Sequence, residues 1–292
     1  MADDASSLNK FKADFTGLYN ADLPHAYYRK MDQLEYQIPE NAKPIINSLI
    51  AAIKLRHSEP VSVLDLGCSY GVLSSLVRFD LSLRTLYDRY RKSTSTDASL
   101  QREADWYAMQ TARSDVRFYG IDISANAIEF ATRVGLLDAG VAVNLEDRRN
   151  TGSTLAGLPR HIDLIVSTGC VGYIINRTFD TVLSYLDLGS PPIIASFVLR
   201  AFDYSEIAQT LTNHGFRTTK LADTTFIQRK FQDSVEQSQI VSLLSSTRQD
   251  SPTPKPAEHD GYYHAELFVS VHEDANVSIV DELGQMQWEE LK

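Results

Sequence analysis

Short apolar runs alternate with amphipathic stretches along most of the chain. The runs VSVLDLG, VRFYGID, IDLIVST and PIIASFVL have the length and residue types of short buried strands. The stretches between them have helical spacing, and Pro39 opens the first of these predicted helices. Strands that alternate with helices of this length predict an α/β fold built on a parallel sheet.

The pattern changes towards the C-terminus. FRTTKL and TTFIQRKF predict two further strands, and YYHAELFVSVH has apolar residues at every second position from Tyr263 to Val271. A period of two belongs to a strand with two unlike faces. It therefore suits an antiparallel addition to an otherwise parallel sheet.

Two stretches interrupt the alternation of strands and helices. Residues 79–115 mix charges with aromatic residues and predict a helical insertion, and residues 232–261 predict a second insertion with a Pro-rich linker. The remaining organisation is one α/β domain over residues 41–275. An aromatic segment at 1–40 precedes this domain and a tail at 276–292 follows it.

Charge and composition narrow the class of protein. The formal net charge is −10 and no Lys/Arg cluster is present, so we expect no nucleic-acid partner, because phosphate contacts require a basic face. No apolar run has the length of a membrane span, and the acidic start MADDASSLNKFKADF is unlike a signal peptide. Two cysteines without metal-ligand spacing fit a reducing compartment, so we expect a cytoplasmic enzyme with no metal and no membrane partner.

The stretch SVLDLGCSYG raises the first question of chemistry. It places Asp65, Gly67 and Gly71 directly after a predicted strand. Glycines in such a turn let the backbone approach a ligand that a side chain would block. The spacing differs from the G-x-G-x-x-G of a dinucleotide site and from the G-x-x-x-x-G-K-[ST] of a phosphate loop.

Carboxylates end the next two predicted strands. Asp122 closes FYGID, where an acidic side chain can accept hydrogen bonds from both hydroxyls of a ribose. Glu146 and Asp147 close VAVNLED, and either can receive the amino group of an adenine. Three successive strands thus offer acceptors in the order that a bound adenosine needs.

These motifs resemble those of the class I S-adenosylmethionine (SAM)-dependent methyltransferases. VLDLGCSYG resembles the first motif of that family, GIDISANAIEFA its second-strand motif, and IDLIVSTGCVGY its fourth-strand motif. The resemblance covers roughly residues 40–275. It implies a Rossmann-like sheet of seven strands with the last strand antiparallel, helices on both faces, an N-terminal lid, and SAM as cofactor.

The resemblance also implies a set of site residues. Between Glu146 and Asp147, Asp147 lies at the more usual place for the adenine contact. The residues expected to bind the cofactor are Asp65, Gly67, Cys68, Ser69, Gly71, Asp122, Ile123, Glu146, Asp147 and Ser167. The residues expected to act in catalysis are Tyr173, Thr168 and Tyr28.

One departure from the family pattern keeps the function open. The acidic catalytic residue that many members carry after the fourth strand is replaced by Ser167, Thr168 and Cys170. We expect methyl transfer to a small-molecule acceptor whose nucleophile needs little acid–base help. The alternatives are cyclisation of SAM by its own amino group to azetidine-2-carboxylate, with release of methylthioadenosine, and a non-catalytic SAM-binding protein.

Overall fold

The computed structural model describes residues 20–92, 99–247, 257–273 and 288–290. The first half of the predicted N-terminal segment, residues 1–19, lies outside these ranges. The helices are α1 (His25–Gln33), α2 (Ile38–Lys54), α3 (Val72–Arg78), α4 (Leu83–Lys92), α5 (Leu100–Ala108), α6 (Ala125–Arg133), α7 (Asn176–Tyr185), α8 (Ser205–Asn213) and α9 (Ser234–Thr247). The strands are β1 (Val61–Leu66), β2 (Val116–Asp122), β3 (Ala139–Ala142), β4 (Leu164–Thr168), β5 (Ile193–Leu199), β6 (Phe216–Leu221), β7 (Phe226–Lys230), β8 (Tyr262–His272) and β9 (Trp288–Glu290).

The strands form one mixed sheet in the order β3-β2-β1-β4-β5-β8-β6-β9, with β7 also paired to β8. Strands β1 to β5 pair in parallel, and β8 runs antiparallel to its neighbours β5, β6 and β7. This arrangement confirms the predicted Rossmann-like α/β class with an antiparallel late strand. The described residues contain nine strands, two more than the seven that the resemblance implies. One of the short strands, β7, is the strand predicted over TTFIQRKF, whereas β9 was not predicted.

Helices cover both faces of the sheet, as predicted. Helices α1 to α6 pack on one face, where Val63, Phe118 and Val166 belong to the larger apolar core. Helices α7 and α8 pack on the other face, against residues such as Leu64 and Ile165. Adjacent strand residues therefore enter different cores, as the two-residue period of a strand requires.

The strand order reverses between β2 and β4, on either side of β1. Asp65, near the carboxyl end of β1, lies opposite Gly120 of β2 and Val166 of β4. The carboxyl end of β1 therefore lies between these two strands. Ligands of doubly wound sheets bind outside the carboxyl ends of the strands at such a reversal. The predicted site residues are thereby brought to one edge of the sheet.

The described part of the N-terminal segment is built into the core. Tyr27 and Tyr28 of α1 are buried, and the ring of Tyr28 stacks on Tyr90 of α4 with centroids 4.4 Å apart. The predicted boundary at residue 40 falls inside α2, which runs from Ile38 to Lys54 without a break. Segment and domain thus share one apolar core.

The insertion at 79–115 contains the two predicted helices, α4 and α5. A buried carboxylate joins them, because Glu103 of α5 accepts hydrogen bonds from Arg89 (3.0 and 3.1 Å) and from the hydroxyl of Tyr90 (2.9 Å). The Arg89 guanidinium also lies 4.2 Å from the ring centre of Trp106. Polar groups inside the insertion are therefore satisfied by one another.

The third strand is displaced from its predicted position. The sequence predicts a strand over VAVNLED, but β3 is Ala139–Ala142 and a turn follows it. Asn144 makes this turn, since its side chain accepts the N–H of Glu146 (3.0 Å) and its carbonyl accepts the N–H of Asp147 (3.2 Å). Glu146 and Asp147 thus lie beyond the strand rather than at its end.

Candidate active site

The turn of residues 67–71 connects β1 to α3 with several positive backbone angles. Gly67 has φ +71° and donates its N–H to the carbonyl of Ile121 (2.8 Å). A Cβ at Gly67 would lie 2.6 Å from the Cβ of Cys170, so a larger residue is excluded by both sterics and backbone strain. Ser69 (φ +51°) and Gly71 (φ +74°) continue the turn into α3.

Asp122 organises this turn from the neighbouring strand. Its carboxylate accepts the N–H of Ser69 (2.8 Å) and the N–H of Ser124 (2.9 Å). Because a carboxylate has about four lone-pair positions, two remain for a ligand. Burial raises the pKa of Asp122 above its ordinary value, although these backbone hydrogen bonds act in the opposite direction.

Asp65 lies beside Asp122 and is buried. Burial raises its pKa well above the ordinary value, and the charge of Asp122 raises it further. Its Oδ1 atom has no hydrogen-bond partner among the described residues. A buried oxygen of this kind is uncommon in native proteins and indicates a missing donor.

Cationic side chains near this end of the sheet are paired with other acids. Arg200, just past β5, forms a buried ion pair with Glu258 (2.8 Å), and Arg229 of β7 forms one with Glu236 (2.8 Å). Within the described ranges no Lys, Arg or His lies in ion-pair contact with Asp65. The carboxyl end of β1 is therefore an acidic site.

The residues after β2 and β3 have distinct surroundings. Ile123 is 70% exposed beside Asp122. Glu146 accepts the N–H of Ile175 (2.8 Å) and both the N–H and the hydroxyl of Thr178 (3.2 and 2.6 Å), so it caps α7. Asp147 is paired with Arg149, whose hydrogen bond lowers the pKa of Asp147 to about 2.

The residues after β4 contain the second cysteine. The thiol of Cys170 donates to the carbonyl of Leu66 (2.8 Å) and lies 3.1 Å from the hydroxyl of Ser167. Burial raises the pKa of Cys170 to about 12 and also raises that of Cys68. Both thiols are thus protonated at neutral pH, which disfavours a nucleophilic role because the thiolate is the reactive form.

The three residues predicted to act in catalysis lie in different surroundings. Thr168 ends β4, and its carbonyl accepts a hydrogen bond from the hydroxyl of Tyr36 (3.2 Å). Tyr173 is 50% exposed in the loop that follows β4. Tyr28 is buried among the tyrosines of α1 and α4, away from solvent. The three residues thus differ in burial and in their neighbours, and their role in catalysis stays a prediction.

Gln228 belongs to the same region although nothing in its sequence context distinguishes it. The side-chain amide of this β7 residue packs on Gly169, directly after β4. TTFIQRKF predicts only a strand, and the contact of its glutamine with the residue after β4 depends on tertiary structure, because β7 itself pairs with β8. Residues far apart in the chain thus complete the edge of the site.

The described ranges contain no group of three or more His, Cys, Asp and Glu side chains that could hold a metal ion. In the same ranges no helix has both the length and the apolar content needed to cross a membrane.

Comparison with known proteins gives matches to solved structures only. No protein-family model and no curated protein sequence matches the chain. Similar structures include magnesium protoporphyrin IX methyltransferase from Synechocystis PCC 6803 with bound SAM, at 12% identity and a TM-score of 0.40, covering 92% of this chain and 97% of that chain. The plantazolicin methyltransferase BpumL with bound S-adenosylhomocysteine (SAH) has 14% identity and a TM-score of 0.40, covering 92% and 98%.

A third similar structure is a TehB-like SAM-dependent methyltransferase from Corynebacterium glutamicum. It has 13% identity and a TM-score of 0.36, covering 76% of this chain and 86% of that chain. At these identities and TM-scores the similarity carries no conclusion about activity. The function has to be inferred from the residues of this chain.

Proposed function

We propose that this chain is a SAM-dependent methyltransferase that acts on a small molecule. The observation that carries the proposal is the pair of buried acids, Asp65 and Asp122, at the carboxyl ends of neighbouring strands. Buried carboxylates require hydrogen-bond donors or positive charge. SAM would bring an ammonium group, a sulfonium and two ribose hydroxyls to this site.

The same pair of acids disfavours a dinucleotide. A pyrophosphate would add negative charge beside Asp65, whose pKa the charge of Asp122 already raises. Sites for phosphate groups rely instead on helix N-termini and basic side chains. An acidic turn therefore favours a cationic ligand over an anionic one.

Each part of SAM has a candidate partner. The free Oδ1 of Asp65 would accept from the ammonium group, and the remaining lone pairs of Asp122 would accept from the ribose hydroxyls. The turn at 67–71 admits the methionine chain, because Gly67 has no side chain. The exposed side chain of Ile123 offers an apolar surface for the adenine ring.

Bound SAM supplies a methyl group activated by the positive sulfonium. The chain would contribute positioning and electrostatic stabilisation, which supply most of the rate enhancement when no covalent intermediate is needed. Ser167, Thr168 and the protonated thiol of Cys170 provide no strong base after β4. We therefore expect an acceptor whose own nitrogen, oxygen, sulfur or carbon is nucleophilic.

A product assay tests the proposed activity. The protein is incubated with SAM alone and with panels of small-molecule amines, alcohols and thiols, and products are identified by mass spectrometry. Methyl transfer gives SAH only when an acceptor is present. Methylthioadenosine from SAM alone would instead show cyclisation, and tight binding without either product would show a non-catalytic protein. Both of these results contradict the proposal.

Binding of SAM is expected to release a proton at pH values between the ordinary pKa of an aspartic acid and the raised pKa of Asp65 in the free protein. The free protein holds Asp65 protonated above the ordinary pKa of an aspartic acid, and an ammonium group beside it would lower that pKa again. Up to about one proton should leave per SAM bound, and affinity should fall as the pH is lowered through the pKa of the complex. Calorimetry in two buffers of different ionisation enthalpy measures this release.

Asp65→Asn is the control for this release, because the amide cannot lose a proton. The variant should release much less, and a release equal to that of the wild type would assign the proton to another group. The raised pKa of Asp65 also affects folding. The free energy of unfolding of the ligand-free protein should fall as the pH rises from the ordinary pKa of an aspartic acid towards the raised pKa of Asp65.

A further inference from the structure

A β-bulge places Gln228 at the edge of the site. In the pairing of β7 with β8, Ile227 lies opposite His264 and Arg229 lies opposite Tyr263, so Gln228 is the extra residue without a partner. Bulges redirect a side chain out of the regular alternation and are frequent beside active sites. The direction of the Gln228 side chain is therefore set by an irregularity of the strand.

Contacts from the N-terminal helices hold this bulge in place. The N–H of Gln37 donates to the carbonyl of Gln228 (2.8 Å), and the side-chain amide of Asn41 donates to the carbonyl of Ile227 (2.8 Å). The N–H of Lys230 donates to the carbonyl of Leu34 (2.7 Å). Three hydrogen bonds thus fix the backbone around Gln228 against the segment between α1 and α2.

The amide of Gln228 lies against the backbone that follows β4. Gly169 has φ +86°, and a Cβ added to it would lie 3.1 Å from Cδ and from Nε2, and 3.2 Å from Oε1, of Gln228. Only a residue without a side chain leaves room for this amide. Gln228 is 6% exposed, and its Oε1 has no hydrogen-bond partner among the described residues.

An unpartnered amide oxygen at this depth points to a donor that the protein itself does not supply. Buried polar atoms are nearly always satisfied in native proteins, and each exception requires an explanation, of which a functional partner is one. The neighbouring acids Asp65 and Asp122 account for the ammonium and the ribose of SAM. They leave the amide of Gln228 for a different group.

We propose that Oε1 of Gln228 accepts a hydrogen bond from the nucleophile of the acceptor substrate. This inference rests on the proposed methyl transfer and narrows its substrate class to amines, whose neutral nitrogen is nucleophilic without a protein base and carries N–H groups. The nitrogen lone pair forms the new N–C bond, the electrons of the broken C–S bond stay on the sulfur of SAH, and the methylated ammonium then loses a proton to water. The hydrogen bond would orient the lone pair of the nucleophile towards the methyl group. A site built to accept such a bond rejects analogues that lack the donor more strongly than a purely apolar pocket can.

The test uses two ligands that differ at the position of the transferred methyl group. Sinefungin carries an amine there, on the carbon that replaces the sulfonium, whereas SAH carries nothing. Calorimetric affinities for both are measured with wild-type protein and with Gln228→Leu. Because the amine of sinefungin lies on the line between the sulfur position and the nucleophile, we expect Oε1 to accept from it when no acceptor substrate is bound. The variant should therefore reduce the affinity for sinefungin about tenfold or more, since a hydrogen bond from a charged donor is lost. Its affinity for SAH should stay within about twofold, since only the shape-matched amide changes.

Three controls separate a ligand contact from a structural role. Gln228→Glu keeps an acceptor and should retain the affinity for sinefungin. Gln209→Leu makes the same change on the exposed face of α8 and should alter neither affinity. Thermal unfolding of ligand-free Gln228→Leu should occur at or above the wild-type temperature, because an unsatisfied polar atom is removed. If the leucine variant does not fold, Gln228→Met gives the same comparison.

The outcomes distinguish this inference from the proposed function. If wild-type protein binds neither ligand, the proposed function fails and the inference fails with it. If both ligands bind and Gln228→Leu leaves the ratio of the two affinities unchanged, the inference alone is overturned. A lower unfolding temperature together with equal losses for both ligands would also overturn it, since the amide would then be structural.

Discussion

Replacing Glu103 by alanine is expected to lower the free energy of unfolding by about 3 kcal/mol, because a buried charge loses its partner. The Glu103 side chain is almost fully buried and accepts three hydrogen bonds from Arg89 and Tyr90. Its removal leaves the guanidinium of Arg89 and the hydroxyl of Tyr90 without acceptors between α4 and α5. The partial exposure of Arg89 keeps the loss at the lower end of the range for buried pairs.

Urea denaturation followed by circular dichroism measures this loss. Glu129→Ala is the matched control, because Glu129 forms an exposed helical pair with Arg133 and should cost less than about 0.5 kcal/mol. The double variant Glu103→Leu with Arg89→Met should recover most of the stability, since apolar groups of similar volume replace a buried ion pair well. A Glu103→Ala loss similar to that of the control would show that the pair does not hold the insertion.

Periodic and local patterns made much of the fold predictable. Strands β1, β2, β4, β5 and β8 were predictable because each is a short apolar or alternating run that can be recognised in the sequence without knowledge of the tertiary structure. Serine is a preferred helix-capping residue, and the hydroxyl of Ser124 accepts the N–H of Ala127 (3.2 Å) at the start of α6. The predicted position of β3 was wrong because the side chain of Asn144 accepts the N–H of Glu146 and forms a turn where a strand was predicted. Competition between such a side-chain hydrogen bond and strand pairing cannot be recognised from composition.

Among the site residues, those in local motifs were predictable from the sequence and those placed by tertiary contacts were not. Asp65, Asp122 and the turn at 67–71 were predictable, since short motifs directly follow predicted strands. The burial of Tyr28 against Tyr90 was not, because helices α1 and α4 meet only in the folded chain. The placement of Gln228 depends on a bulge in β7, an antiparallel pairing with β8 and a glycine after β4, and the sequence of β7 alone does not contain this information.

Replacing Asp122 by alanine is expected to weaken SAM binding by about 2 kcal/mol or more, roughly thirtyfold. Both carboxylate oxygens already hold the site, one through Ser69 and one through Ser124, and their remaining lone pairs would accept the ribose hydroxyls. Calorimetry measures the affinity. Glu129→Ala is the matched control, because Glu129 is exposed on α6 and forms only a helical pair with Arg133. We expect Glu129→Ala to change the affinity much less than Asp122→Ala.

Loss of affinity alone would not separate a ribose contact from collapse of the turn, because Asp122 also holds the N–H of Ser69. Adenosine and 2′,3′-dideoxyadenosine make the separation. The wild type should bind adenosine more tightly than 2′,3′-dideoxyadenosine, because only adenosine has ribose hydroxyls that can donate to the Asp122 carboxylate. Asp122→Ala should abolish that preference, because the variant has no carboxylate to accept these hydrogen bonds. If the variant loses affinity for both nucleosides equally and keeps its preference, Asp122 supports the turn without touching the ribose. The orientation of SAM between Asp65 and Asp122 would then have to be abandoned.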